Sequence, residues 1–121
     1  MNELTHVTKE GDLSMVDISS KSITQRKAIA KGSISLKKST LDLIEKALVK
    51  KGDVLTVAKI AGIMATKKTA DVVPLCHPIS ISHVDIDLEL DNHHDSINCT
   101  TSVSTTGKTG VEIEALYAVQ V

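Results

Sequence analysis

The chain has 121 residues, of which 41% are hydrophobic, and its 14 Lys and Arg nearly balance its 15 Asp and Glu. This length predicts one domain, residues 1–121, and the charge balance excludes the strongly basic surface that a duplex-DNA-binding protein needs. Tyr117 is the only aromatic residue, so stacking platforms for single-stranded nucleic acid are excluded as well. We therefore expect no nucleic-acid partner.

Apolar stretches are all far shorter than the ~20 residues of a membrane span, and the first twelve residues contain no apolar segment typical of a signal peptide. We expect a cytoplasmic protein with no membrane partner. Cys76 and Cys99 are isolated and predict reduced thiols rather than a disulfide framework. Adjacent residues such as Cys76 and His77 rarely chelate one ion, so no metal site is expected.

The N-terminal third begins with a mixed, polar segment, residues 1–20, which we interpret as a flexible arm that orders against a partner or ligand. Branched and small residues then recur at every second position over residues 23–36. This period predicts a strand, which we expect to be interrupted at Gly32.

Two consecutive helices are predicted next. Ser39 or Thr40 is expected to cap the first, and Asp53 the second, after a break at Gly52. In the first helix the apolar positions at helical spacing are Leu41, Ile44, Ala47 and Leu48. In the second they are Val54, Val57, Ala58, Ala61, Met64 and Ala65.

The C-terminal half predicts a stiff loop, a hairpin and a helix. Pro74 and Pro78 exclude regular structure over residues 72–78. Apolar and acidic residues alternate strictly over residues 84–91, and period two returns over 97–103, which predicts an antiparallel hairpin. Residues 111–121 then predict the beginning of a third helix.

This order of elements predicts an α+β fold, a ferredoxin-like antiparallel sheet with helices on one face. A complete ferredoxin-like fold has one further strand after the last helix. We therefore expect the final helix and strand to be incomplete in this sequence.

Several side chains are suited to binding an anion or moving a proton. Residues 106–109, Thr-Gly-Lys-Thr, lack the upstream glycine of a nucleotide-binding P-loop, but their backbone N–H groups can face an anion before a helix; a solvated turn is the simpler alternative. His77 lies in the proline-bounded loop, where phosphate binding, proton transfer or a purely structural role fits it. Arg26 is the only arginine and therefore the only candidate for a bidentate phosphate contact. Lys51 lies at the predicted break between the helices, where its ammonium group can reach a ligand; a solvated surface lysine is the simpler alternative.

Glu112 and Glu114 are two residues apart, so they share a face only if the segment is extended; on a helix they diverge. A stabilising charge at a helix N-terminus is the alternative role for Glu112. The pattern leaves both possibilities open.

Five segments together resemble the cyclic pyranopterin monophosphate synthase family, the family of molybdenum cofactor biosynthesis protein C. They are MVDIS at 15–19, KGDV at 51–54, AKIAGI at 58–63, VPLCHP at 73–78 and TGKTGVEIEAL at 106–116. The resemblance covers nearly the whole chain and follows the family's order.

The resemblance implies a lyase that converts 3′,8-cyclo-7,8-dihydroguanosine triphosphate, a small-molecule nucleotide, to cyclic pyranopterin monophosphate with release of pyrophosphate. It also implies a homo-oligomer, a hexamer built from dimers with active sites at the dimer interface. No cofactor is expected for this step.

Site residues follow from the same resemblance. His77, Glu112 and Lys51 are the candidates for catalysis, His77 and Glu112 through proton transfer or its orientation. The expected substrate-binding residues are Lys21, Arg26, Lys68, Leu75, Cys76, His77, Ile113 and Glu114.

The family's last helix continues into a segment with an aspartate and, three residues later, a lysine that are central to catalysis. The sequence ends at Val121, before these positions, and we expect it to be part of a longer chain. The alternatives are a catalytically inactive nucleotide-binding or assembly subunit of the same fold, and a generic ligand-sensing domain.

Overall fold

The computed structural model describes residues 23–46 and 53–121. Its elements, in chain order, are β1 (Thr24–Ser35), α1 (Lys38–Glu45), α2 (Val54–Val72), β2 (Ile81–Asp91), β3 (Ser96–Gly107) and α3 (Glu112–Gln120). The predicted arm at residues 1–20, the helix positions Ala47 and Leu48, and the candidate site residues Lys21 and Lys51 lie outside the described residues.

The three strands form one antiparallel sheet in the order β1-β3-β2. β2 and β3 form the predicted hairpin, with Leu90 opposite Ile97 and a register irregularity between Ile81 and His83. The Asp91 carboxylate closes the turn by accepting hydrogen bonds from the backbone N–H groups of His93 and His94. The hairpin prediction is therefore confirmed.

The two faces of the sheet differ in chemistry because side chains alternate along each strand. The core face carries buried residues such as Ala30, Ile86 and Val103, which α2 and α3 cover. On the outer face the β1 edge carries Lys27 and Lys31, and the β2 edge carries exposed acidic residues. Those acidic residues are Asp85, Asp87 and Glu89.

Gly32 does not interrupt β1, contrary to the sequence-based expectation. The pairing with β3 continues through it, with Gly32 opposite Cys99. A Cβ atom at Gly32 would lie 2.8 Å from the Cγ1 atom of Val119 on α3. The glycine therefore permits close helix packing on an unbroken strand.

The first helix begins earlier than its cap chemistry predicted. Lys37 is the N-cap and has no side-chain capping bond, so neither Ser39 nor Thr40 caps the helix. The backbone N–H of Leu36 donates to the Asp95 carbonyl at 2.8 Å, which anchors the chain at this point to the hairpin turn. A tertiary contact, and not a side-chain cap, therefore lies next to the start of α1.

The second helix has the predicted cap, and its buried face is the predicted one only in part. Asp53 accepts a hydrogen bond from the Leu55 N–H at 3.1 Å. The predicted stripe is wrong at Val57 and Met64, which are 57% and 58% exposed. The buried residues of α2 are Gly62, Ala65, Thr66 and Thr69. Small side chains line this face because the helix lies close to the sheet and to α3.

The core is centred where α3 crosses the sheet. Its buried cluster consists of Ala30, Val103, Val111 and Ala115. Helices on one face of an antiparallel sheet confirm the predicted α+β class. In the part of the chain that the structure describes, no helix is long and apolar enough to cross a membrane.

Candidate functional site

One end of the sheet brings together the segments that carry most of the candidate residues. β1 begins there, β3 ends there at Gly107 opposite Thr24, and Ile81 at the start of β2 pairs with Thr105. The last turn of α2, the loop over residues 73–80 and the first turn of α3 lie at the same end. The topology therefore assembles one candidate site from several elements.

The loop over residues 73–80 is held in an unusual conformation. Leu75 has φ of 63°, in the left-handed region that a leucine rarely adopts. Leu75, Cys76 and His77 are all half-buried. The hydroxyl of Thr105 donates a hydrogen bond to the Ser80 carbonyl, which fixes the end of the loop to β3.

Cys76 and Glu114 connect this loop to α3. The Sγ atom of Cys76 lies 3.5 Å from Oε2 of Glu114, whose side chain is only 3% exposed. Burial, the adjacent Glu114 charge and the hydrogen bond to Glu114 raise the pKa of Cys76 to about 11. The thiol therefore keeps its proton at neutral pH and donates a hydrogen bond to the Glu114 carboxylate.

Glu114 is itself placed where a negative charge is disfavoured. Burial raises the pKa of the Glu114 carboxyl group, and the nearby charge of Glu112 raises it further. Hydrogen bonds from the backbone N–H of Glu114 and from the Cys76 thiol lower the pKa, but burial is the largest effect. The charged form of Glu114 is therefore less favourable here than that of a solvated glutamate.

Glu112 and Glu114 do not share a face, because α3 already begins at Glu112. Glu112 is exposed and its carboxylate folds back over Gly110, where a Cβ atom would collide with it. Ile113 is 41% exposed beside it. The two carboxylates thus present one solvated and one buried acid at the same helix N-terminus.

Arg26 lies on the core face of β1, directly opposite Thr105. Its Nε atom is buried, and it has no hydrogen-bond partner among residues 23–46 and 53–121. A buried guanidinium nitrogen without a partner is costly unless a ligand supplies the acceptor. Arg26 is therefore suited to an anion at this end of the sheet.

The remaining candidates are dispersed or not described. Lys68 is exposed on α2, one turn before the helix ends. Lys21 and Lys51 lie outside the described residues. Among the residues that the structure describes, no group of three or more His, Cys, Asp or Glu side chains is arranged to hold a metal ion.

A groove of about 540 Å³ lies at the opposite end of the sheet. Its lining is largely apolar and combines Val54 and Leu55 of α2 with Val119 at the end of α3. It contains none of the described candidate residues. The volume of the groove alone therefore does not mark the site.

Two residues that sequence reasoning missed connect the site's segments to β3. The Thr101 hydroxyl donates to the Ala115 carbonyl at 2.8 Å, and the Thr105 hydroxyl donates to the Ser80 carbonyl. Both threonines are buried, with 0% and 2% exposure. The sequence could have revealed them, because each is a polar residue at a position that the period of two assigns to the core face of the strand.

Together, these features define an α+β protein that brings a buried acid to one end of its sheet, together with a guanidinium nitrogen that has no partner among the described residues. Residues 15–121 match the model of the MoaC family. The chain belongs to the MoaC family.

Relatives named cyclic pyranopterin monophosphate synthase match almost the entire chain. The protein of Heliobacterium modesticaldum is 47% identical over 121 residues, which are 100% of this chain and 76% of the relative. That of Parvibaculum lavamentivorans is 48% identical over 119 residues, 98% of this chain and 74% of the relative. That of Thermoanaerobacter pseudethanolicus is 51% identical over 118 residues, 98% of this chain and 75% of the relative.

Proposed function

We propose that this chain is a subunit of a cytoplasmic cyclic pyranopterin monophosphate synthase. It acts in molybdenum cofactor biosynthesis and converts 3′,8-cyclo-7,8-dihydroguanosine triphosphate to cyclic pyranopterin monophosphate and pyrophosphate. Membership of the MoaC family and the names of relatives about half identical to the chain support this proposal.

The observation that carries the proposal is the contact between Cys76 and Glu114. These residues belong to the two segments expected to bind substrate, residues 75–77 and 113–114, which are far apart in sequence. Their side chains meet at 3.5 Å. A nucleotide held by both segments would lie beside a buried acid and a half-buried imidazole, that of His77.

The leaving group of the reaction is a pyrophosphate, which needs cations. Arg26 supports this part of the proposal because its buried Nε lacks a partner within the described residues. A guanidinium can bind two phosphate oxygens at once, which a lysine cannot do in the same geometry. Lys21, Lys51 and Lys68 are the further cations that we assign to the triphosphate and the reacting centre.

Proton transfers are required when the reduced purine ring opens and the cyclic phosphate closes. We assign them to His77 and Glu112, either as proton carriers or as groups that orient the carrier. Glu112 is exposed at the first position of α3 and can exchange protons with solvent, whereas Glu114 is buried beside Cys76. This difference supports a binding role for Glu114.

The position of Asp53 supports a site built from two copies of the chain. Asp53 caps the N-terminus of α2, and 19 helical residues span about 28 Å before the chain reaches the site loop. The Cα atom of Lys51 is two peptide units from that of Asp53, a distance of at most about 7 Å, to which the lysine side chain adds only part of the remaining distance. We therefore assign Lys51 to the site of a second copy, in a dimer that assembles further into a hexamer.

The proposal is tested by turnover of the purified full-length protein with the cyclic dihydro-GTP substrate, with the product followed by chromatography and mass spectrometry. We expect Arg26→Ala to lower kcat/KM roughly 10- to 100-fold, the effect of losing a charged hydrogen bond. Lys31→Ala removes a cation from the outer face of the same strand and is the matched control.

The result that would contradict the proposal is an absence of product from a full-length, folded oligomer. Substrate binding without product would favour the alternative, a catalytically inactive nucleotide-binding or assembly subunit. Equal losses from Arg26→Ala and Lys31→Ala would remove Arg26 from the site.

A further inference from the structure

β3 carries two buried hydroxyl groups in an otherwise apolar core row. Thr101 and Thr105 flank Val103 on the core face of the strand, and the three side chains are 0%, 2% and 0% exposed in that order. A buried hydroxyl without a hydrogen bond is unfavourable, so each threonine has a specific partner. Both partners are backbone carbonyls of other segments.

Thr105 holds the site loop. Its hydroxyl donates to the carbonyl of Ser80, three residues after His77. Pro78 lies between them and stiffens the connection, because its ring restricts its own φ and the conformation of the residue before it. A fixed Ser80 carbonyl therefore limits where residues 75–77 can lie.

Thr101 holds the first turns of α3. Its hydroxyl donates to the Ala115 carbonyl at 2.8 Å and lies 3.5 Å from the Ala30 carbonyl of β1. Ala115 follows Glu114 directly, so the same strand fixes the helix that carries the buried acid. The two threonines are four residues apart, about 13 Å along a strand.

We propose that Thr101 and Thr105 are positioning residues of the substrate site, which use β3 as a rigid spacer to hold the Cys76 thiol against the Glu114 carboxylate. The proposal rests on the proposed function in assigning both segments to the substrate. In this proposal each hydroxyl acts through the backbone segment that it holds. A small displacement of such segments lowers the fraction of molecules competent to bind.

The test is Thr105→Val, which keeps the branched shape and removes the donor. We expect the rate of Cys76 alkylation by iodoacetamide to rise about fivefold, the opening expected from losing one neutral hydrogen bond. Peptide mass spectrometry separates Cys76 from Cys99, which lies at the far end of β3 and serves as an internal reference. Its rate should not change.

Steady-state kinetics give a second readout. With the cyclic dihydro-GTP substrate, Thr105→Val should raise KM about fivefold at unchanged kcat, because saturating substrate restores the competent arrangement. Thr101→Val should act in the same direction. Thr105→Ser keeps the hydroxyl and should restore both the alkylation rate and KM.

Thr66→Val is the matched control. Thr66 is 3% exposed, and its hydroxyl donates at 2.7 Å to Ile63 of its own helix, so it links no two segments. This variant should lose stability without a change in Cys76 alkylation or KM. The proposal is overturned if Thr105→Val behaves like Thr66→Val, or if Cys76 and Cys99 accelerate together, which indicates global opening.

The two proposals fail separately, because alkylation needs no turnover. Faster alkylation of Cys76 in Thr105→Val, in a full-length, folded protein that makes no product, would retain the positioning role and reject the synthase assignment. Unchanged alkylation in an active enzyme would do the opposite.

Discussion

Glu114 holds its carboxyl group where ionisation is disfavoured. The side chain is 3% exposed, and burial raises the pKa of the carboxyl group above its ordinary value of 4.5. The folded protein therefore binds this proton more tightly than the unfolded chain does. Such a group stabilises the fold below about pH 4.5, and this contribution is lost as the pH rises through the folded-state pKa.

Glu114→Gln should remove this pH dependence. The free energy of unfolding of the variant, minus that of the parent, should increase as the pH rises above 4.5 and then level off. A tenfold difference in proton affinity corresponds to about 1.4 kcal/mol between the two plateaus. Urea unfolding at a series of pH values measures the difference, and a difference that stays constant would contradict the assignment.

Asp53→Asn provides a control of the opposite sign. The Thr56 hydroxyl, together with the backbone N–H groups of Leu55 and Thr56, lowers the pKa of Asp53 below 3.8. Its stabilising effect is present above about pH 3.8 and is lost as the pH falls. The loss of unfolding free energy caused by Asp53→Asn should therefore shrink at low pH. The corresponding difference for Glu114→Gln should change at higher pH.

Sequence reasoning identified the segments of the candidate site but not their contact. The motif around Cys76 and His77 named the loop, and the motif around Glu112 named the helix. No local pattern relates Cys76 to Glu114, because 38 residues separate them and tertiary packing brings them together. The roles of these side chains remain predictions until kinetics test them.

At the scale of elements, the helical period placed α2 correctly but predicted its buried face only in part. Large apolar residues marked the predicted stripe, yet Met64 is 58% exposed and Gly62 is buried. A helix that approaches a sheet closely buries its smallest residues, so the most hydrophobic residues do not mark its buried face. The strands were predicted better, because a period of two has only two faces to choose between.

Gly62 should reveal this close approach. Gly62→Ala improves helix propensity by about 0.5–1 kcal/mol, but its Cβ would collide with Cδ1 of Ile86, which is 3% exposed. Overpacking typically costs about 1–3 kcal/mol, so we expect a net destabilisation of about 1 kcal/mol by urea unfolding.

Ile86→Val removes the colliding methyl group and completes a double-mutant cycle. Alone it should cost about 1 kcal/mol, as for other buried isoleucines. Combined with Gly62→Ala, the two should cost less than the sum of the single changes, by about 1 kcal/mol. Additive effects would show that the two groups do not meet.

For the whole molecule, a site shared between copies predicts complementation. Lys51→Ala and His77→Ala should each be inactive. When the two variants are coexpressed, some of the dimers contain one copy of each. In such a mixed dimer, one of the two sites has both a native Lys51 and a native His77. Random pairing then gives about a quarter of the parent activity.

The control is coexpression of Lys51→Ala with the double variant Lys51→Ala/His77→Ala, in which no site has a native Lys51. This mixture should stay inactive. If the first mixture also stays inactive while mixed dimers are detected by mass spectrometry, Lys51 and His77 act within one chain and the two-copy site is wrong.

β3 lies between β1 and β2 in the sheet, and its two strand pairings differ greatly in the chain entropy that is lost when they form. Its pairing with β2 closes only the four-residue turn at 92–95, whereas its pairing with β1 joins residues about 60 to 80 positions apart. Because the entropy of loop closure grows with the logarithm of loop length, the second pairing costs about 2 kcal/mol more. The hairpin half can thus form from local contacts, while β1, which carries Arg26, joins only when most of the chain has folded.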